Sequence, residues 1–208
     1  MKIRWKQPAE LPLYPFSIRC FCLALNSPGY VGTYGNAMGK RLDRDFYNQD
    51  VLEVAPSLLG QHLVRVWPDG TKSIYVISET EAYRGGEDRA CHASKGRTPR
   101  TEVMFGEGGY IYMYLIYGMH WMMNVVTARE GVPQAVLIRG LRETPGPGRL
   151  TRLLQVDKTY YGEDLADSDR IWIEESGKQA EYTTGPRVGI DYAGEPWKDV
   201  PWRFLLNL

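Results

Sequence analysis

The stretch QHLVRVWPDGTKSIYVISETEAY, residues 61–83, decides the fold because it holds two strand patterns joined by a turn. Apolar and polar residues alternate on both sides of a Pro-Asp-Gly sequence at 68–70, which is typical of tight turns. We therefore predict a β-hairpin. Because side chains alternate between the faces of a strand, Glu79 and Glu81 should share one face, with Tyr83 beside them.

A second hairpin is predicted in GYIYMYLIYGMHWMMNVVTA, residues 109–128, where Tyr117 and Gly118 interrupt an alternating pattern. Further strand patterns are QAVLIRGL (134–141), RIWIEE (170–175) and PWRFLL (201–206), and helices are predicted within NQDVLEVAPSLLG (48–60) and GPGRLTRLLQV (146–156). The hairpins predict one α+β domain with a curved, mostly antiparallel sheet and peripheral helices.

The first 40 residues mix Pro, Gly and Asn with isolated aromatics and show no periodicity. We predict that 1–40 is a poorly ordered N-terminal extension and that 41–208 is a single functional domain. No apolar stretch approaches the roughly 20 residues that cross a bilayer, so no membrane partner is expected.

The charges and cysteines restrict the possible partners. The formal net charge is zero, so attraction to an anionic partner must be local, and the loop at 84–100 is rich in Arg and Lys. Three cysteines without a framework of spacings argue against a disulfide scaffold and favour a reducing compartment. No Cys or His pairs stand at zinc-site spacing, so we expect no metal.

Carboxylates and aromatics converge at the end of the first hairpin. A strand carboxylate is usually solvated, but beside aromatics its pKa can rise by desolvation, which suits a general base. His92 follows Tyr83 by nine residues, and tyrosines alternate through 110–114. Buried phenols need hydrogen-bond partners, so an aromatic-lined pocket fits these tyrosines better than an ordinary core. Aromatic faces with basic neighbours are the elements that hold an unstacked nucleobase.

Five segments together resemble a known family. They are ETEAY (79–83), His92, TPR (98–100), YIYMYLIYGMHWMMN (110–124) and VLIR (136–139). In this order and spacing they resemble the alkyladenine, or 3-methyladenine, DNA glycosylases of mammals and bacteria. The similarity runs from about Leu42 to Leu205.

The resemblance implies a role for each matching residue. Glu81 would be the general base that deprotonates the attacking water, and Arg139 would position that water. The base pocket would be lined by Tyr83, His92, Tyr112, Tyr114 and Asn124. Tyr117, at the tip of a protruding hairpin, would intercalate into the DNA. Arg97 and Arg100 would contact the DNA backbone.

The implied activity is that of a monofunctional DNA glycosylase in base excision repair. It would flip alkylated or deaminated purines from duplex DNA and hydrolyse the N-glycosidic bond without a metal or organic cofactor. It would act as a monomer in the cytoplasm of a bacterium, at the nucleoid, or in the nucleus of a eukaryote. Ring alkylation makes a purine cationic, which favours binding to tyrosine faces.

Two departures from the family pattern are visible. The connection at 141–146 is shorter than usual, and the sequence stops at WRFLLNL before a Pro-aromatic-Val-Ser stretch. We expect these changes to affect stability or folding yield rather than the pocket.

Two alternatives to the glycosylase remain open. A non-catalytic protein that binds damaged DNA or single-stranded bases would use the same tyrosines and show salt-dependent binding without base release. A carbohydrate hydrolase would use Glu79 and Glu81, whose backbones are expected to lie about 6.6–7 Å apart on one strand face.

Overall fold

Both predicted hairpins are present in a computed structural model, which describes residues 39–178 and 180–207. The strands of this part are β1 (His62–Val66), β2 (Lys72–Tyr83), β3 (Ile111–Ile116), β4 (His120–Thr127), β5 (Gln134–Leu141), β6 (Thr144–Pro145), β7 (Ile171–Glu174), β8 (Tyr182–Gly185) and β9 (Arg203–Leu206). The helices are α1 (Arg44–Tyr47), α2 (Val51–Ser57) and α3 (Pro147–Leu154), with 3-10 turns at His92–Lys95, Glu102–Phe105, Lys158–Tyr160 and Asp191–Ala193. Residues 1–38 of the predicted extension lie outside the described residues.

The nine strands of the described residues form one sheet, in which every pairing is antiparallel. The main order is β3-β4-β5-β2-β1-β7, and β9 joins β2 while carrying β8 on its other side. β2 is central because β1, β5 and β9 all pair with it. The sheet is strongly curled, so the prediction of an α+β domain with a curved antiparallel sheet is confirmed.

The helices α2 and α3 begin where the sequence predicts, whereas the short helix α1 was not predicted. The Asp50 carboxylate accepts a hydrogen bond from the Leu52 amide at 2.9 Å and caps α2. α3 begins with Pro147, whose missing N–H costs nothing at a helix start. At the other end of α3, the Arg65 side chain donates from Nε to the Leu154 carbonyl at 2.9 Å. Within the described residues, no helix has both the length and the apolar character needed to span a bilayer.

The core of the described residues divides into a large cluster under α2 and α3, a smaller one that supports the cavity described below, and a third, minor one formed by Ala90, Ile190 and Ala193. The buried members of the smaller cluster are Cys91, Ala93, Met104, Tyr112, Val126 and Ala135. Tyr83 and Tyr114 pack against this cluster and stay partly exposed. The tyrosines therefore border both a core and an open space.

Asp88 organises the loop between β2 and the 3-10 turn at His92–Lys95. Its carboxylate accepts hydrogen bonds from the amides of Arg84 and Ala90, and its carbonyl accepts one from the Cys91 amide at 2.8 Å. The loop therefore passes through turns before the 3-10 turn begins at His92.

Candidate active site

Two bulges in the β2–β5 pairing shape the centre of the site. Glu79 faces Gly140 and Thr80 faces Ile138, which leaves Arg139 as an extra, unpaired residue in β5. Ser78 is the corresponding extra residue in β2, between the pairs that Ile77 and Glu79 make. Bulges re-aim side chains and often lie next to active sites. Here the bulge directs the Arg139 side chain toward both carboxylates of β2.

Glu81 is fully buried, and three groups hold its carboxylate. Oε1 accepts a hydrogen bond from the Val188 amide at 2.8 Å, and Oε2 accepts one from the Tyr83 hydroxyl at 2.8 Å. Arg139 approaches with Nε at 3.5 Å from Oε1. Burial raises the pKa of Glu81 above its usual range, although these three partners oppose the shift. The geometry is that of an oriented carboxylate able to accept a proton.

An aromatic cavity of 510 Å³ is lined in part by Tyr83, Arg139 and Val188, the three residues that contact the Glu81 carboxylate, so Glu81 lies directly behind its wall. This volume falls within the range of about 300–1,000 Å³ that is usual for small-molecule sites. Its walls include every residue that the sequence analysis assigned to the base pocket, namely Tyr83, His92, Tyr112, Tyr114 and Asn124, and also Arg139. The structure therefore brings the predicted pocket residues together.

His92 and two tyrosines form one wall of this cavity. The Tyr112 hydroxyl and His92 Nδ1 are 2.9 Å apart, and the His92 ring meets the Tyr114 ring edge-on with centroids 4.5 Å apart. Burial, aided by the positive charges of Arg100 and Lys95, lowers the pKa of His92 to about 4. At neutral pH this wall is uncharged, because burial also raises the pKa of Tyr112 to about 12.

Asn124 lies deep in the cavity and is buried. It pairs with Tyr112 across the β3–β4 hairpin, and its amide nitrogen donates to the Tyr112 and Met122 carbonyls at 3.1 and 3.3 Å. The side chain is thus fixed to the backbone of its own hairpin. A fixed polar group at this depth restricts the shapes that the cavity accepts.

Tyr117 stands at the tip of the hairpin and is 86% exposed. Tyr117 and Gly118 have φ angles of 50° and 66°, the signs that a type I′ turn requires at both central residues. The Met119 amide closes the turn by donating to the Ile116 carbonyl at 3.1 Å. A bulky residue in the left-handed region and an exposed ring are both unfavourable, which together suggest a function.

The two predicted DNA-backbone residues are placed differently. The Arg100 guanidinium lies over the Tyr114 ring, 5.4 Å from its centroid, at the cavity. Arg97 is exposed and forms a two-point ion pair with Glu102, from Nε at 2.9 Å and from Nη2 at 2.7 Å. In this arrangement Arg100 is the closer of the two to the cavity, and Arg97 is partly neutralised.

Comparison with known proteins decides the family. The sequence profile of the family described as "Methylpurine-DNA glycosylase (MPG)" matches residues 45–145 and 142–207. The chain belongs to the methylpurine-DNA glycosylase family. The two matched segments meet at 142–145, where the sequence analysis placed a shortened connection. In the structure Arg142 and Glu143 form a two-residue turn, after which β6 pairs with β5. Gly140 and Leu141 of β5 are thus paired with Pro145 and Thr144 of β6.

Curated relatives of this family member cover most of the chain and carry the name "Putative 3-methyladenine DNA glycosylase". The protein from Desulfitobacterium hafniense (strain Y51) is 47% identical over 196 residues, covering 81% of this chain and 96% of the relative. That from Legionella pneumophila (strain Lens) is 45% identical over 178 residues, covering 81% and 95%. A relative from Methanocella arvoryzae is 42% identical over 183 residues, covering 78% and 90%.

The segment 186–193 of this methylpurine-DNA glycosylase was not predicted to belong to the site. It contributes Val188, Ile190 and Tyr192 to the cavity wall. Arg187 anchors it through a buried pair with Asp88, in which two guanidinium nitrogens reach the carboxylate at 2.5 and 2.9 Å. The segment has no strand or helix periodicity. The only signal in the sequence was its mixture of basic and aromatic residues near a Gly-Pro break.

Proposed function

We propose that this protein flips alkylated or deaminated purines out of duplex DNA and hydrolyses their N-glycosidic bonds with water activated by Glu81. Membership in the family makes it a DNA glycosylase, a hydrolase that acts on N-glycosyl bonds. The observation that carries the detailed mechanism is the buried Glu81 carboxylate, held by Tyr83, Val188 and Arg139, all three of which line the aromatic cavity.

Recognition would depend on charge and on aromatic faces. A purine alkylated at a ring nitrogen such as N3 or N7 carries a positive charge in the nucleotide, which the electron-rich rings of Tyr83 and Tyr114 attract. Neutral His92 adds no opposing charge, and its bond to Tyr112 fixes the orientation of its ring. Damaged bases also pair and stack poorly, so flipping them costs less than flipping intact ones.

In the hydrolytic step the bond from the sugar carbon C1′ to the base nitrogen breaks, and the base leaves with the bonding electrons. A cationic alkylated base leaves as a neutral molecule, and a neutral base such as hypoxanthine leaves as an anion that takes a proton from solvent water. The water oxygen then bonds to C1′, and the water proton passes to Glu81. A raised pKa suits this transfer, because a more basic carboxylate accepts the proton more readily. Arg139 would orient the water from its place on the β5 bulge. The products are a free base and an abasic strand.

The hairpin tip would support flipping. Tyr117 projects from the protein and is suited to fill the gap that the extruded nucleotide leaves. We propose that the protein acts on the duplex as a monomer.

The test is single-turnover release of free base from a duplex that carries one 3-methyladenine or hypoxanthine. We expect Glu81→Gln to lower the release rate by at least about 100-fold, within the range of about 10²–10⁴ for loss of general-base catalysis. Affinity for the duplex should stay the same, because the amide keeps the shape of the side chain. Glu53→Gln, an exposed carboxylate on α2, is the matched control and should release base at the wild-type rate.

Each outcome separates the candidate functions. Loss of release in Glu81→Gln alone supports water activation by this residue. Salt-dependent binding by a folded wild-type protein that releases no base would favour the non-catalytic binder. A covalent protein–DNA adduct trapped by borohydride would indicate an amine nucleophile and contradict the monofunctional mechanism.

A further inference from the structure

Glu79 lies two residues before Glu81 on the same face of β2. A single oxygen of its carboxylate binds two arginines. Its Oε1 accepts from Arg139 Nε at 2.8 Å and from Arg203 Nε at 2.7 Å. The Glu79 side chain is only 13% exposed, so these ion pairs are shielded from water. Gly140 lies opposite Glu79, and a Cβ there would come within 3.3 Å of Glu79 Oε2. The glycine leaves the room that the carboxylate occupies.

Arg139 is shared unevenly between the two glutamates. Its Nε lies 2.8 Å from Glu79 but 3.5 Å from Glu81, which is beyond an ordinary hydrogen bond. Among the described residues, no hydrogen bond engages its two terminal nitrogens, although the side chain lines the cavity. Glu79 is therefore the hydrogen-bond partner of Arg139, whereas Glu81 attracts the same guanidinium by charge without a hydrogen bond to it.

We propose that Glu79 is a positioning residue for the hydrolysis: it holds Arg139 away from Glu81 and aims the terminal guanidinium nitrogens at the cavity. This inference rests on the proposed function. Without Glu79, the nearest carboxylate for Arg139 would be Glu81. A close pair between them would tie up the oxygen that has to accept the water proton and turn the guanidinium away from the water.

Several charged and titratable groups face Glu81, and each variant below changes one of them. They are Glu79 and Tyr83 on β2, Tyr114 on β3, Arg139 on β5, Arg203 on β9, and Arg187 behind the Tyr83 ring. The charge of Glu79 raises the pKa of Glu81 and that of Arg139 lowers it, both after the larger effect of burial. Removing the charge of Glu79 should lower the pKa of Glu81 in two ways. The repulsion from Glu79 is lost, and Arg139 moves closer to Glu81.

The experiment compares Glu79→Gln with Arg203→Gln in single-turnover base release from pH 5 to pH 9, using a duplex with one 3-methyladenine. Both variants abolish the 2.7 Å ion pair between Glu79 and Arg203, but only Glu79→Gln also removes the carboxylate charge that holds Arg139. For Glu79→Gln we expect the acid limb of the profile to move down by about one pH unit and the plateau rate to fall about tenfold. Duplex affinity, measured by anisotropy, should not change.

Two further variants complete the design. Arg203→Gln should keep the wild-type acid limb, and Glu79→Asp, which keeps the charge, should restore most of the wild-type profile. An unmoved acid limb in Glu79→Gln overturns the inference, as does an equal shift in Arg203→Gln. If Glu79→Gln does not fold, the other two variants still test the inference. A shifted acid limb in either Glu79→Asp or Arg203→Gln refutes the inference. Glu81→Gln is measured in parallel, and undiminished release by that variant would refute the proposed function itself, and this inference with it.

Discussion

The wall formed by His92 shows how single residues set the charge of the cavity. The imidazole shares a hydrogen bond with the Tyr112 hydroxyl and lies near Arg100 and Lys95, both of which disfavour a second positive charge. The ring therefore stays neutral where a cationic base is proposed to bind. The same environment links the folding of the protein to pH, because the unfolded chain does not shield the imidazole.

We predict that His92 makes the protein less stable as the pH falls from about 6.5 to about 4. In this pH range the His92 imidazole is protonated in the unfolded chain but neutral in the folded protein. The free energy of unfolding therefore falls as the pH falls. The effect should be at most about 3 kcal/mol, and nearer to 1 kcal/mol because solvent screens this partly exposed ring. Urea unfolding of wild type and His92→Gln at pH 4.5, 5.5 and 7 checks this. The variant should show the flatter dependence, and parallel curves would contradict the prediction.

At the scale of elements, the β3–β4 hairpin combines a strained turn with an exposed aromatic tip. The tip sequence Tyr117-Gly118 takes positive φ at both residues, where Asn-Gly is the favoured pair. Tyr117 therefore reduces the stability of the hairpin that presents it. Such a cost is expected where the side chain is needed for binding.

Tyr117→Asn should make the protein more stable and less active. Asn tolerates the left-handed conformation, so the unfolding midpoint should rise by about 2–4 °C for a gain near 1 kcal/mol. Base release should slow at least about tenfold, the factor that corresponds to about 1.4 kcal/mol of lost wedge energy. Thermal melting and single-turnover release measure the two effects. A variant that loses stability, or one that keeps the wild-type rate, would refute this account of the tip.

The elements also show what sequence alone can predict. Alternating patterns identified both hairpins and β5, and the Asp50 cap identified α2, because these signals are local. The strand β8 was missed because three of its four residues are exposed and none is buried. The bulge at Arg139 was missed because it depends on how β5 pairs with β2. The pocket was therefore predicted, but the contacts of Val188 and Arg203 with the two glutamates were not.

At the scale of the whole molecule, one buried ion pair joins distant parts of the sequence around the cavity. Arg187 binds Asp88 and also donates to the carbonyls of Ala82 and Trp197. Its guanidinium lies 4.8 Å from the centroid of the Tyr83 ring. The pair thereby holds the end of β2, the loop before His92 and the segment 186–193 in one arrangement.

Breaking this buried ion pair should lower the free energy of unfolding more than breaking an exposed ion pair does. Asp88→Asn leaves the Arg187 charge buried and uncompensated, which should lower the free energy of unfolding by about 3–5 kcal/mol. Glu102→Gln removes the exposed partner of Arg97 and should cost less than about 1 kcal/mol. Urea denaturation of both variants measures the difference. Equal losses would mean that the buried pair does not organise this region.

The tight turn between β5 and β6 has a consequence for how such proteins vary in length. Arg142 and Glu143 form this turn, and both are exposed. The two segments that match the family overlap at 142–145, which includes both residues. Residues added here would extend into solvent, while the pairing of Gly140 and Leu141 would keep the preceding bulge in register. The turn is thus a site that tolerates insertions, because added residues would not move the catalytic groups. Evolution can lengthen the chain here, and a fluorophore or a tethered partner can be attached at the same place.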